Sequence, residues 1–313
     1  MSTSGWTAAE SPRMDGKTVV ITGANSGIGL ETTRHLARLG ARVVMACRNV
    51  DAATAARSDI RATVPDAHVD IVQLDLGDLT SVRKAADEML RSHPRIDVLV
   101  NNAGVMAGRR ELTADGFEMD FGTSFLGHFA LTGLVLEPML AADAARVVTV
   151  GSNAHRAGVV DLDDLGMDRT FSTSRAYSRA KFAQLVFAVE LQRRLVASGH
   201  TTPISLAAHP GATHSGVMRD SGRLLQWLFT TPSLHWLRRT FIMEGPDGAL
   251  PSVRAACDPG AIGGQYYGPS GPLQFTGPPV LVVPSPRVFD VELGSRLWDK
   301  AEELTGVTYA FSR

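Results

Sequence analysis

From Lys17 to His209, short apolar runs alternate with longer segments in which apolar positions recur every three or four residues. The short runs are Thr18–Thr22, Arg42–Cys47, Val69–Leu74, Ile96–Asn101, Arg146–Gly151 and Ile204–His209. Their Val and Ile content predicts strands. Between them, Ile28–Leu39, Ala52–Thr63, Ser81–Arg91, Phe117–Leu140 and Tyr177–Ala197 carry helical periodicity.

Strands this apolar, separated by helices, predict an α/β fold: a parallel sheet covered on both faces. Right-handed crossovers make it a doubly wound parallel sheet, a Rossmann fold that binds ligands beyond the carboxyl ends of its strands. The expected organisation is a flexible extension over residues 1–13 and a single domain over 14–313. After Pro210 the texture changes. A segment at about 211–243 carries an apolar stretch, Leu224–Ile242, that admits three readings: a lid over a pocket, a subunit contact or a membrane-surface contact. Gly245–Ala256 reads as helix and Gln265–Tyr267 as an edge strand. Gly268–Pro286 is loop-like, and Arg287–Thr305 is a closing amphipathic helix.

Composition narrows the function classes. Among 313 residues, 31 Lys plus Arg balance 32 Asp plus Glu, and no dense basic run suggests a nucleic-acid partner. Cys47 and Cys257 are far apart, which argues against a disulfide framework and fits a reducing compartment. The polar start does not read as a signal peptide, and no apolar run of about 18 residues predicts a spanning helix. A cytoplasmic enzyme is therefore expected. Arg238 and Arg239 beside Trp and Phe leave peripheral membrane contact as a lesser expectation.

Candidate chemistry sits where strands end. The first strand runs into Gly23, Ala24, Asn25, Ser26, Gly27, Ile28 and Gly29, a glycine-spaced turn opening a helix. Such a turn lets backbone approach a pyrophosphate, and the helix N-terminus supplies free N–H groups and a favourable dipole. The second strand ends at Arg48 and Asn49, where an NAD site usually offers a carboxylate to the ribose. A guanidinium there suits a 2′-phosphate, so NADP is expected, with NAD as the alternative. Asp75 and Leu76 end the third strand and Asn102, Ala103 and Gly104 the fourth, all candidate cofactor contacts. His155, His209 and His214 have no carboxylate cluster at ligand spacing, so no metal is expected, and a structural role is favoured for the first two.

Tyr177 and Lys181 are four residues apart and so share a helix face, while Ser152 ends the fifth strand. A nearby ammonium would lower the pKa of a phenol toward the working range. Tyr and Lys at this spacing are common on helices, and alone they decide nothing.

Taken in order, Thr22-Gly23…Gly27…Gly29, Asn101-Asn102-Ala103-Gly104, Gly151-Ser152, Tyr177…Lys181 and Pro210-Gly211 resemble the short-chain dehydrogenases/reductases over most of residues 14–270. Leu126-Gly127-His128-Phe129, Ser152-Asn153-Ala154-His155 and the long Ser152–Tyr177 spacing are similar to the retinol-dehydrogenase and protochlorophyllide-reductase-like branch. Gly264–Pro269 and Glu302–Val307 are similar to its bacterial, especially actinobacterial, members.

The resemblance implies Tyr177 as acid/base, Lys181 lowering its pKa and binding the nicotinamide ribose, and Ser152 orienting the carbonyl oxygen. It also implies Asn102, Gly104, Pro210, Gly211 and Ser215 along the cofactor, and it favours a helical substrate lid for the segment at about 211–243. One departure stands out. The family places an asparagine in a proton relay where this chain has Ser124, whose hydroxyl reaches less far and has one donor hydrogen. Ser124 is kept as the candidate relay residue. The expected function is NADP(H)-dependent hydride transfer to or from the carbonyl or alcohol of an apolar small molecule. A non-catalytic NADP-binding sensor or structural module is the alternative, and a homodimer or homotetramer is the expected assembly.

Overall fold

The computed structural model describes residues 6–7, 11–212, 243 and 245–311. Most of the expected lid, with His214 and Ser215, therefore lies outside the described residues, as does most of the expected N-terminal extension.

Among the described residues, eight strands form one sheet in the order β3-β2-β1-β4-β5-β6-β7-β8. They are β1 Thr18–Thr22, β2 Arg42–Cys47, β3 Val69–Gln73, β4 Val98–Asn101, β5 Arg146–Val150, β6 Ile204–Ala208, β7 Tyr266–Pro269 and β8 Pro279–Leu281. The first seven are parallel, and β8 runs antiparallel to β7, with Tyr267 opposite Leu281. The order reverses between β1 and β4, the switch point at which sheets of this kind bind ligands beyond the strand carboxyl ends.

The interior strands are buried on both faces, which is why they read as continuous Val/Ile runs. One face is covered by α1 Gly27–Arg38, α2 Val50–Thr63 and α7 Gly245–Cys257. The other is covered by α3 Leu79–Ser92, α5 Gly127–Leu140, α6 Thr173–Ala197 and α8 Val291–Thr305. Phe129, Phe187, Trp298 and Tyr309 pack their rings together there, and the Tyr309 hydroxyl donates to the Phe129 carbonyl at 2.7 Å. Cys47 and Cys257 are both free and buried.

The expected strands and helices appear within a few residues, with two differences. Tyr266–Pro269 is an inner strand rather than an edge, because the stretch expected to be loop contributes β8 outside it. The expected helix Phe117–Leu140 is divided: α4 Met119–Phe121 passes into a π-helical turn, Gly122–Leu126, before α5. That turn carries Ser124. Gly127 permits the close approach that follows, since a Cβ there would overlap the Leu76 carbonyl.

Candidate active site

The glycine turn is held open by backbone geometry that other residues rarely adopt: φ is +63° at Gly23 and +54° at Gly27. Gly29 has no room for a Cβ, which would meet the Gly23 carbonyl and the Asn102 amide. Ser26 is the N-cap of α1, yet its side chain makes no capping bond, and the first turn holds no acidic residue. The helix thus presents uncapped N–H groups without competing negative charge, and a pyrophosphate fits that donor set. Ile28 is buried beneath the turn and Asn25 is half-buried.

The Thr22 hydroxyl ties this turn to the end of β4. It accepts from the Asn102 and Ala103 amides, both at 2.9 Å, and the Asn102 side chain donates to the Thr22 carbonyl at 2.8 Å. His128 completes the lock. Its Nδ1 lies 2.7 Å from the Ser124 carbonyl and must donate to it, leaving Nε2 to accept from the Thr22 hydroxyl at 2.8 Å. Burial pushes this imidazole down to about 4, so it is neutral at physiological pH. Neither Thr22 nor His128 stood among the expected site residues; their signal lay in the motifs, but their partners are distant in sequence.

Arg48 is exposed at the end of β2 and has no side-chain partner among the described residues. Asn49 caps α2 by accepting from the Ala52 amide at 2.9 Å. Asp75 accepts from the Gly77 amide at 2.9 Å, so its carboxylate shapes its own turn, and Leu76 is buried. Pro210 and Gly211 follow β6 half-buried, with φ +72° at Gly211.

Ser152, Tyr177 and Lys181 come together at the end of β5. Ser152 caps a short 3₁₀ turn, Asn153–Ala157, by accepting from the Ala154 amide at 3.2 Å. The Lys181 Nζ donates to the Val150 carbonyl at 3.0 Å and stands 5.7 Å from the centre of the Tyr177 ring. Burial of Lys181 pulls its ammonium down to about 8, against the attraction of Asp120. Burial raises the Tyr177 phenol above its ordinary value, while hydrogen bonding with Ser152 lowers it and the Asp120 charge raises it. The expected lowering by Lys181 is thus not what this geometry produces, because desolvation dominates and the ammonium is turned to a backbone carbonyl.

Gly104 is the meeting point with Ser124: a Cβ there would lie 3.3 Å from Lys181 Nζ and 3.5 Å from Ser124 Oγ. The Ser124 hydroxyl accepts from the Val105 amide at 3.4 Å and is fully buried. Asp120, one turn earlier, escaped sequence reasoning because its segment read simply as helix. His155 and His209 both make internal hydrogen bonds. The first bridges the Ser152 carbonyl at 2.6 Å and the Ser285 amide at 3.0 Å, and the second sits between Gly211 N and the Gln274 side chain. Among the described residues no group of three or more His, Cys, Asp or Glu is placed to hold a metal, and no helix is long and apolar enough to cross a membrane.

The short chain dehydrogenase family matches residues 17–223. Human retinol dehydrogenase 13 is 38% identical over 93% of this chain and 85% of its own length. Mouse retinol dehydrogenase 14 is 35% identical over 94% of this chain and 87% of its own. A crystal structure of an uncharacterised Mycobacterium paratuberculosis protein is 39% identical, covers 98% of this chain and 100% of its own, and superposes with a TM-score of 0.79. A Shigella flexneri short-chain dehydrogenase solved with NADP shares the fold at 19% identity over 82% of this chain and 98% of its own, with a TM-score of 0.62. The chain therefore belongs to the short-chain dehydrogenase family, in its retinol-dehydrogenase-like branch, and is an NAD(P)-dependent oxidoreductase acting on alcohol or carbonyl groups.

Proposed function

We propose that the protein is an NADP(H)-dependent dehydrogenase/reductase of an apolar alcohol or carbonyl compound, with Tyr177 as the acid/base. The supporting observation is the convergence of Ser152, Tyr177 and Lys181 at one strand end, beside the uncapped glycine turn. Gly23 to Gly29 and the N-terminus of α1 would hold the pyrophosphate, and Arg48 a 2′-phosphate. Asn49, Asp75 and Leu76 would border the adenosine end. Asn102, Ala103, Gly104, Tyr177, Lys181, Pro210, Gly211 and Ser215 would line the nicotinamide end. When bound, the cofactor supplies the hydride.

The chain's own residues do the rest. Ser152 orients the substrate oxygen by hydrogen bonding, and Tyr177 gives or takes the proton at that oxygen. Lys181, at about 8, holds a proton close to neutral pH and can exchange it with the phenol. An exposed guanidinium, without a partner among the described residues, where a carboxylate would favour NAD supports the NADP preference. The names of the relatives point to a retinoid-like substrate. A lid at 211–243, a cytoplasmic location and a homodimer or homotetramer belong to the same proposal.

The test is NADPH-dependent reduction of retinaldehyde and a panel of apolar aldehydes and ketones. Wild type should turn over, and Tyr177→Phe should lose at least a hundredfold in kcat while binding NADPH normally. Unchanged turnover in Tyr177→Phe would refute the assignment. Tight NADPH binding with no turnover across the panel would favour the non-catalytic module.

A further inference from the structure

Asp120 lies outside every role described so far, yet it is a fully buried carboxyl in the same helical segment as Ser124. One oxygen accepts from the Ala107 amide at 2.8 Å; the other is buried with no hydrogen-bond partner among the described residues. Its neighbour Glu118 is the opposite case. Glu118 accepts from the Asp120 and Phe121 amides at 3.1 and 3.0 Å and pairs with the buried Arg179 at 2.8 Å. Burial and the nearby Glu118 charge therefore favour the protonated form of Asp120, whose second oxygen lacks the donors that surround Glu118.

The charged and titratable groups around Asp120 are Glu118 on its own segment and Arg179, Lys181 and Tyr177 on α6. The loop after β4 joins the parts: Ala107 binds Asp120, Val105 binds Ser124, and Gly104 lies against both Ser124 and Lys181. A buried polar atom left without a partner beside reacting groups calls for a functional account.

We propose that Asp120 is a positioning residue of the proton path, a buried carboxyl that stores a proton and returns it to Lys181 after each turnover. This rests on the reading of Tyr177 and Lys181 given above. In the reductive direction the substrate carbonyl is reduced at the expense of the reduced nicotinamide, and its oxygen takes the proton as the Tyr177 O–H bond breaks. The phenolate regains a proton from the Lys181 ammonium. The Asp120 carboxyl then reprotonates the amine, ending as a carboxylate that solvent protonates again. Burial and the Glu118 charge raise Asp120 to about 7, within about tenfold in proton affinity of Lys181 at about 8. Neither transfer is steeply uphill.

Asp120→Asn keeps the shape and an acceptor for Ala107 but cannot titrate. With retinaldehyde and NADPH as probes, kcat should fall at least tenfold and lose its dependence on a group titrating near neutrality, with both KM values within about twofold of wild type. Infrared difference spectra of the cofactor-free protein should show a protonated-carboxyl stretch titrating near pH 7 in wild type and in Tyr177→Phe, and not in Asp120→Asn. A merely structural role would lower Tm and leave the pH profile in place. Wild-type kcat and pH profile in Asp120→Asn, or a carboxyl band titrating only in the ordinary carboxylate range, would overturn the proposal. Turnover surviving in Tyr177→Phe would instead strike the parent reading, and the infrared titration would still decide the state of Asp120.

Discussion

The Thr22 hydroxyl offers a direct test of how the two cofactor-facing loops are held. It is fully buried, accepts from the Asn102 and Ala103 amides, and donates to His128. Thr22→Val keeps the shape and removes only the oxygen, so no cavity opens. The Ala103 N–H and one imidazole nitrogen are left unpaired in the interior, whereas the Asn102 N–H keeps the Val100 carbonyl at 3.0 Å. Each costs roughly 1 kcal/mol or more, giving a loss of about 2–4 kcal/mol. For a domain of this size that corresponds to a fall in Tm of about 4–8 °C. Thr22→Ser, which keeps the hydroxyl and loses a methyl, should cost only about 1 kcal/mol. Thermal and urea denaturation of both variants reads the stability difference, and NADPH titration should show weaker binding for the valine variant as Asn102 and Ala103 loosen. A valine variant within about 2 °C of wild type, with the serine variant falling further, would refute the hydroxyl as the lock.

Two further expectations follow from the same geometry. His128 and His209 are held at about 4 in the fold, below the ordinary 6.5, so the unfolded chain binds more protons between those values. Their contribution is present above pH 6.5 and is lost as pH falls toward 4, while Asp120, raised from 3.8 to about 7, opposes it over that window. Urea midpoints for wild type and His128→Asn should show the acid-side slope shrinking by about one proton in the variant; an unchanged slope would contradict a neutral buried His128. Arg48→Glu should cut kcat/KM for NADPH relative to NADH by about 10–100-fold, through loss of charge-assisted bonds and added repulsion of the 2′-phosphate. Equal cofactor ratios in wild type and variant would remove Arg48 from the specificity assignment.

The sequence by itself determined the sheet's inner strands, because residues buried on both faces must be apolar along their whole length, and Val19–Ile21, Val43–Cys47 and Val147–Val150 advertise this without tertiary help. It determined the glycine turn as well, since positive φ and close approach admit little else at Gly23 and Gly29. Tertiary structure alone decided the rest. The three residues of β8 carry too little pattern to announce a strand, and only pairing with β7 makes them one. The π turn at Gly122–Leu126 shifts helix register without altering hydrophobic periodicity. The spacing of the tyrosine and lysine decided nothing alone; the order of the surrounding motifs singled them out, but nothing in the sequence revealed their proton affinities. Those depend on desolvation and on Asp120, and a charge's solvation is set by what folds around it, not by its neighbours in the chain.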